Sequence, residues 1–269
     1  MDNRPIGVFD SGLGGLTAVA EIRKILPSEN IIYFGDTSRV PYGGRSKEIL
    51  LKYARQDVAF LRSFDIKAIV VACGTVSTTA LPILREENDL PLLGVVEPVC
   101  RRAVKLTKNK KVGMIATAAS VRSGTYEAVI HALDADIQVV SHACPLFVPL
   151  VENGRYRVGD SVIETVAQEY LAPLKQEKID TLILGCTHYP LLTEVIAKIM
   201  GPEVELINAG VEAAWELKRT LTAENLLAQD RPGETTLYAS DLNGDFRELA
   251  GCFLQQEVPQ VRPVNIDRY

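Results

Sequence analysis

The segment Thr181-Leu-Ile-Leu-Gly-Cys-Thr-His-Tyr-Pro-Leu-Leu192 decides how the rest of the chain is read. An apolar run ends in small and polar residues, and an apolar pattern of helical period follows. That order predicts a buried strand, a tight turn, and a helix with Pro190 near its first turn. Cys186 and His188 fall where the strand ends, the edge at which open α/β sheets bind ligands. A thiol facing a helix N-terminus is favoured toward thiolate. Taken alone, such a cysteine fits a buried structural role equally well.

The pattern occurs twice. Ala68-Ile-Val-Val-Ala-Cys-Gly-Thr-Val-Ser-Thr-Thr-Ala-Leu-Pro82 repeats the apolar run, the cysteine (Cys73), the hydroxyl residues and a proline-containing helix. A matching strand precedes each copy: Ile6-Gly-Val-Phe-Asp-Ser-Gly12 before the first, Val112-Gly-Met-Ile-Ala-Thr-Ala118 before the second. Asp10 to Cys73 and Thr117 to Cys186 span nearly equal lengths of chain. Two similar halves, each presenting one thiol at a strand end, predict a site at a pseudo-twofold interface.

Working outward, Pro5–Phe9 reads as a strand and Leu16–Leu26 as a helix, joined by a turn containing Gly12, Gly14 and Gly15. The third glycine of G-x-G-x-x-G is missing, which excludes that dinucleotide fingerprint. The turn is expected to aim backbone N–H groups at an anion such as a carboxylate. Ile31–Phe34 is a strand, residues 35–44 a turn-rich functional loop, and Ser46–Phe64 an amphipathic helix. Leu92–Val96 is a strand, with Glu97-Pro98 marking the crossover into the second half. Lys110–Ala116 and Ile137–Ser141 follow as strands around a helix over Ser120–Leu133. The apolar stretch Pro145–Val151 ends in Glu152, placed to sit at a pocket rim. A helix over Asp160–Gln176, the strand Ile179–Gly185, a helix over Leu191–Met200 and a strand over Glu203–Ile207 complete this half. A long helix from Asn208, a strand at Thr235–Ala239 and a helix at Phe246–Gln256 end the chain. This alternation predicts an α/β fold of two similar lobes, each a mainly parallel sheet flanked by helices.

Composition narrows the class. With 47% hydrophobic residues over 269 positions the chain can bury a large core without staples. A net charge of −5 argues against general nucleic-acid binding. Five cysteines without a C-x-x-C pair, no signal-peptide pattern and no membrane-length apolar run lead to the expectation of a cytoplasmic, reduced chain. Three histidines at 131, 142 and 188 do not form a metal-ligand spacing, and no metal is expected. His131, His142, Cys100, Cys144 and Cys252 read as surface or packing residues.

Asp10-Ser-Gly-Leu-Gly-Gly15, Pro41-Tyr-Gly43, the Cys73 segment and Leu184-Gly-Cys-Thr-His-Tyr-Pro190 together resemble the glutamate racemases of the aspartate/glutamate racemase superfamily. The resemblance runs from about residue 5 to about residue 245 and rests on the combination of motifs. It implies cofactor-independent racemisation, a role in supplying D-glutamate for peptidoglycan, and a homodimer. It further implies that the C-terminal portion returns to the first lobe, giving lobes of 1–97 plus 208–269 and of 98–207. By the same resemblance Asp10 assists Cys73, Glu152 and His188 assist Cys186, and Tyr42 and Gly43 contact a substrate carboxylate. The sequence departs from the family in one place: Cys73-Gly74-Thr75 replaces the usual Cys-Asn-Thr.

The residues suit that chemistry. Racemisation removes an α-proton from one face and returns one to the other, which two bases on opposing lobes can do. No lysine stands in a recognisable Schiff-base context, so the developing carbanion must be stabilised by preorganised hydrogen bonds. Ser11, Thr75, Thr117, Ser120 and Thr187 supply hydroxyls at strand ends, and His188 stands two positions from Cys186. Gly74 offers only its backbone N–H, with a water in the place of the missing amide. Restoring asparagine there is expected to lower KM for glutamate. Another acidic substrate such as aspartate, a non-catalytic binding relative and a Cys73–Cys186 redox pair stay open on the residues alone.

Overall fold

A computed structural model describes residues 1–242, 246–258 and 260–269. Positions 243–245 and 259, which fall within the expected first lobe, lie outside the described residues. Two wholly parallel sheets form the frame. The first contains β1 (Ile6–Asp10), β2 (Ile31–Gly35), β3 (Ala68–Val71), β4 (Leu92–Gly94), β9 (Thr235–Ala239) and β10 (Val261–Pro263), in the order β10-β9-β2-β1-β3-β4. The second contains β5 (Lys111–Ala116), β6 (Gln138–Ala143), β7 (Thr181–Leu184) and β8 (Glu205–Asn208), in the order β6-β5-β7-β8. Placing β2-β1-β3-β4 beside β6-β5-β7-β8 shows the internal repeat: one strand order, built twice.

Both central pairs are buried on both faces, which is why they read as unbroken apolar runs. In each sheet the chain leaves the first strand toward one neighbour, then crosses to the other side. The strand order therefore reverses between β1 and β3, and again between β5 and β7, and the crevice at such a reversal is where ligands bind. Asp10 ends β1, Cys73 follows β3, Thr117 follows β5 and Cys186 follows β7. The two sheets turn these ends toward each other.

Helices cover the sheets. α1 (Leu16–Ile25) and α2 (Lys47–Arg62, capped by the Ser46 side chain) flank the first. The helix expected behind Cys73 is two short ones, α3 (Gly74–Thr79) and α4 (Leu81–Glu86). Glu97-Pro98 lies in the first turn of α5 (Val96–Leu106), where proline costs no hydrogen bond, and that helix carries the chain from β4 of the first sheet to β5 of the second. Val96, Val99, Cys100 and Ala103 of α5 pack with Val112 and Met114 of the second sheet. The helix expected over Ser120–Leu133 is broken at Gly124 (φ 65°) into α6 (Ala118–Ser123) and α7 (Thr125–Leu133).

The stretch before the predicted rim carboxylate is itself helical, α8 (Phe147–Glu152), and α9 (Ser161–Gln176) follows, capped by Asp160. Pro190 sits in a 3-10 turn at Tyr189–Leu192 leading into α10 (Thr193–Met200). α11 (Ala209–Ala223) ties the halves: Ala209 and Ala213 pack under the second sheet, Leu217 and Leu221 with α1 residues in the main core. β9 pairs with β2 and β10 with β9, and α12 (Phe246–Leu254) lies between them in sequence. Lys67, buried at the start of β3, pairs with buried Glu29 at 2.5 Å and donates to the carbonyls of Asp2 and Leu226.

Candidate active site

Between the facing strand ends lies a cavity of about 440 Å³. Cys73 and Cys186 both line it, as do Ser11, Gly43, Thr75, Thr117, Thr187, His188 and Glu152. Of the residues singled out in the sequence, Asp10 and Ser120 do not reach it, because both are completely buried. An apolar wall from Val40, Pro41, Cys144, Pro145, Val148 and Pro149 completes the lining. That wall was not foreseen. Its sequence signal was the run of prolines and valines on either side of the two predicted loops, and Cys144 is a wall residue as well as a packing one.

On the first lobe, the Cys73 thiol donates to Ser11 Oγ at 3.6 Å, and the N–H groups of Ser11 and Val76 point toward it. Burial, and then the neighbouring Asp10 carboxylate, push this thiol up to about 12. Asp10 corrects one expectation. The N–H groups of Gly12 and Gly15 do not await an external anion: they donate to Asp10 Oδ2 at 3.3 and 3.0 Å. The anion of the glycine turn is the protein's own carboxylate. Burial raises the Asp10 carboxyl above the usual carboxylate range, opposed by the charge of His188 and by these N–H groups. A side chain on Gly15 would collide with Asp10, so the turn is shaped around that carboxyl.

Tyr42 and Gly43 both line the cavity, as expected of residues placed to contact a carboxylate there. The Tyr42 ring is buried, and its hydroxyl donates to Asp36 Oδ2 at 2.6 Å and lies 3.3 Å from Asp57 Oδ2. The buried Asp36 and Asp57 carboxyls are the anchor of that loop. Burial lifts both carboxyls, the Asp36 charge raises Asp57 further, and the Tyr42 hydroxyl bond opposes the rise at each. Nothing in the helical pattern of α2 marked Asp57 as buried.

On the second lobe, His188 is buried with Nε2 2.9 Å from Glu152 Oε1 and Nδ1 3.9 Å from Cys186 Sγ. Burial opposes charging the ring, but the bonds to Cys186 and Glu152 outweigh it and push His188 up to about 10. The His188 ring thus stands between the Glu152 carboxyl group and the Cys186 sulfur. The Phe253 ring of α12 packs edge-on against the imidazole with centroids 5.1 Å apart. Thr117 caps α6 through the Ser120 N–H and donates to Ser120 Oγ at 3.1 Å, so Ser120 acts on the pocket only through Thr117. Among the described residues no three histidine, cysteine or acidic side chains are grouped to hold a metal ion.

The lobes touch around the site. Thr75 Oγ1 and Thr117 Oγ1 are 2.9 Å apart, Thr17 donates to the Thr187 carbonyl at 2.9 Å, and Thr125 donates to the Thr78 carbonyl at 3.0 Å. Gly74 does not leave a gap where an amide is missing. A Cβ there would lie under 3.0 Å from the Gly185 carbonyl oxygen, so an asparagine cannot be added to this arrangement without moving backbone.

The comparisons agree with this geometry. The family model described as Asp/Glu/Hydantoin racemase matches residues 20–217. A glutamate racemase of Thermoanaerobacter pseudethanolicus is 42% identical, with all of both chains covered. One of Lactococcus lactis subsp. lactis is 43% identical over all of this chain and 98% of its own. Among solved structures, glutamate racemase of Francisella tularensis in complex with D-glutamate superposes with a TM-score of 0.93 at 40% identity, covering both chains fully. That of Thermus thermophilus in complex with β-chloro-D-alanine gives 0.89 at 42%, again over both chains. An aspartate racemase of Picrophilus torridus, 18% identical with a TM-score of 0.58, shares the fold. Repeated strand order, paired thiols and full-length similarity lead to one statement: the chain belongs to the Asp/Glu/hydantoin racemase family, among its glutamate racemases.

Proposed function

We propose that this protein interconverts L- and D-glutamate by a two-base mechanism in which Cys73 and Cys186 are the bases. The observation that carries the reading is that both thiols, on equivalent strand ends of the two lobes, line one cavity. One thiolate takes the α-proton and becomes a thiol, leaving the electron pair on the α-carbon. The opposite thiol returns a proton to the other face and becomes the thiolate. The next turnover from the product enantiomer runs the same steps backward. Thr75, Thr117 and Thr187, with the N–H groups at the starts of α3 and α6, supply donors to the carboxylates where negative charge develops. Asp10 acts beside Cys73, and the Glu152–His188 pair beside Cys186. The lobes are assigned as residues 1–97 with 208–269 and 98–207, and several α5 residues pack with the second sheet. Supply of D-glutamate for cell-wall peptidoglycan in the cytoplasm, and a homodimeric assembly, follow from the same family reading.

The test is incubation with L-glutamate in heavy water without added cofactor, following the circular dichroism of the substrate and deuterium at Cα. Loss of optical signal with incorporation of one α-deuterium is expected, and Cys73→Ser and Cys186→Ser should each abolish racemisation. Silence with glutamate, aspartate and other acidic amino acids would overturn the reading.

A further inference from the structure

We propose that Gly74 sets the spacing of the two lobes across the thiol pair; this rests on the racemase reading and adds a determinant to it. Each thiol has a glycine as its chain neighbour on the side facing the other lobe: Gly74 follows Cys73 and Gly185 precedes Cys186. The two glycines oppose one another. A Cβ on Gly74 would come under 3.0 Å from the Gly185 carbonyl oxygen, whereas ordinary contact is 3.4–4 Å. The obstacle is backbone at the end of β7, which no rotamer change relieves. Tyr126, whose buried hydroxyl has no hydrogen-bond partner, lies 3.8 Å from the same position, at ordinary contact distance.

The other close glycines of the seam behave differently. A Cβ on Gly14 would meet the side chains of Thr187 and His188, and one on Gly43 would meet Thr117 at 3.1 Å. Those neighbours are side chains and not backbone. At Gly74 only a separation of the lobes, on the order of 1 Å, makes room. Two bases that must reach one α-carbon from opposite faces depend on that separation, and misplacement of about 1 Å can cost roughly 10²-fold in rate. The departure from the family's asparagine therefore reads as a closer approach of the lobes and not as a lost contact.

The experiment compares wild type, Gly74→Ala and Gly74→Asn by thermal unfolding with and without saturating D-glutamate, and by kcat and KM for glutamate. Gly74→Ala is expected to lower the ligand-free Tm modestly, as the bonds across the seam lengthen, to lose most of the ligand-induced rise, and to lose about 10²-fold in kcat/KM. Gly74→Asn should be no better than Gly74→Ala. A ligand-free fold lost altogether in Gly74→Ala would make the contact a condition of folding and not of spacing, and overturn the proposal. So would an unchanged ligand shift and kcat/KM, or a KM lowered by Gly74→Asn. A wild type that neither turns over glutamate nor is stabilised by it removes the racemase reading, and this one with it. Normal wild-type behaviour beside an indifferent Gly74→Ala removes the spacing role alone.

Discussion

Glu152 accepts a 2.9 Å hydrogen bond from Nε2 of His188, on the ring edge opposite the one that faces the Cys186 thiol. The carboxylate thus favours the charged ring without touching the sulfur. Because His188 is raised to about 10, its charge stabilises the fold fully below the ordinary histidine value and is lost as pH rises through about 10. Glu152→Gln lowers the folded value, so that the stabilisation is smaller and its loss is complete at a lower pH. The Tm difference between wild type and variant should be widest near neutrality and narrow at strongly alkaline pH. A difference constant across that range would refute the assignment. Activity should fall about 10²-fold, equally in kcat/KM for both enantiomers, since mirror-image substrates have the same free energy in water.

Cys73 carries the opposite electrostatic setting. With its thiol raised to about 12 by burial and by Asp10, its alkylation by iodoacetamide should keep accelerating up to strongly alkaline pH. Asp10→Asn removes the neighbouring negative charge and should move that rise to lower pH, read by peptide mass mapping. An unmoved profile would mean that the carboxyl does not act on the thiol.

Thr75→Val deletes the 2.9 Å bond to Thr117 across the lobes while leaving Thr117 free to cap α6. Urea unfolding should show a loss of about 1 kcal/mol, and Thr75→Ser should restore it. If serine does no better than valine, the hydroxyl bond alone is not what the position supplies.

Lys67→Met leaves the buried Glu29 carboxylate without its counter-charge. A cost of about 3–5 kcal/mol is expected in equilibrium unfolding, the usual range for breaking a buried pair from one side. The double variant Lys67→Met with Glu29→Gln should recover a large part of it, and failure to recover would assign the loss to the carbonyls of Asp2 and Leu226.

The central strands were legible because strands buried on both faces leave no polar positions in the sequence, and Ala68–Val71 and Thr181–Leu184 contain almost none. The glycine turn, both thiols and His188 were legible as strand-end chemistry. β10 escaped because three residues with Arg262 and Pro263 at an exposed sheet edge have no apolar signature. The interruptions at Ala80 and Gly124 are local backbone choices that the apolar period runs straight through. The Asp10 carboxylate filling its own turn, the Tyr42 hydroxyl bonded to the buried Asp36 and the seating of Gly74 on Gly185 depend on how the chain is brought together. No local pattern encodes them.

The pairing of β2 with β9, Ile31 beside Thr235 and Gly35 beside Ala239, carries a consequence for biosynthesis. Every strand of the second sheet has left the ribosome once Asn208 has, so that sheet can be completed while translation continues. The first sheet begins earlier but finishes later, its β2 edge uncovered until the last stretch of chain is made. An uncovered parallel edge invites pairing with another nascent chain. Polypeptides released before Thr235 should therefore contain one finished sheet and one adhesive one.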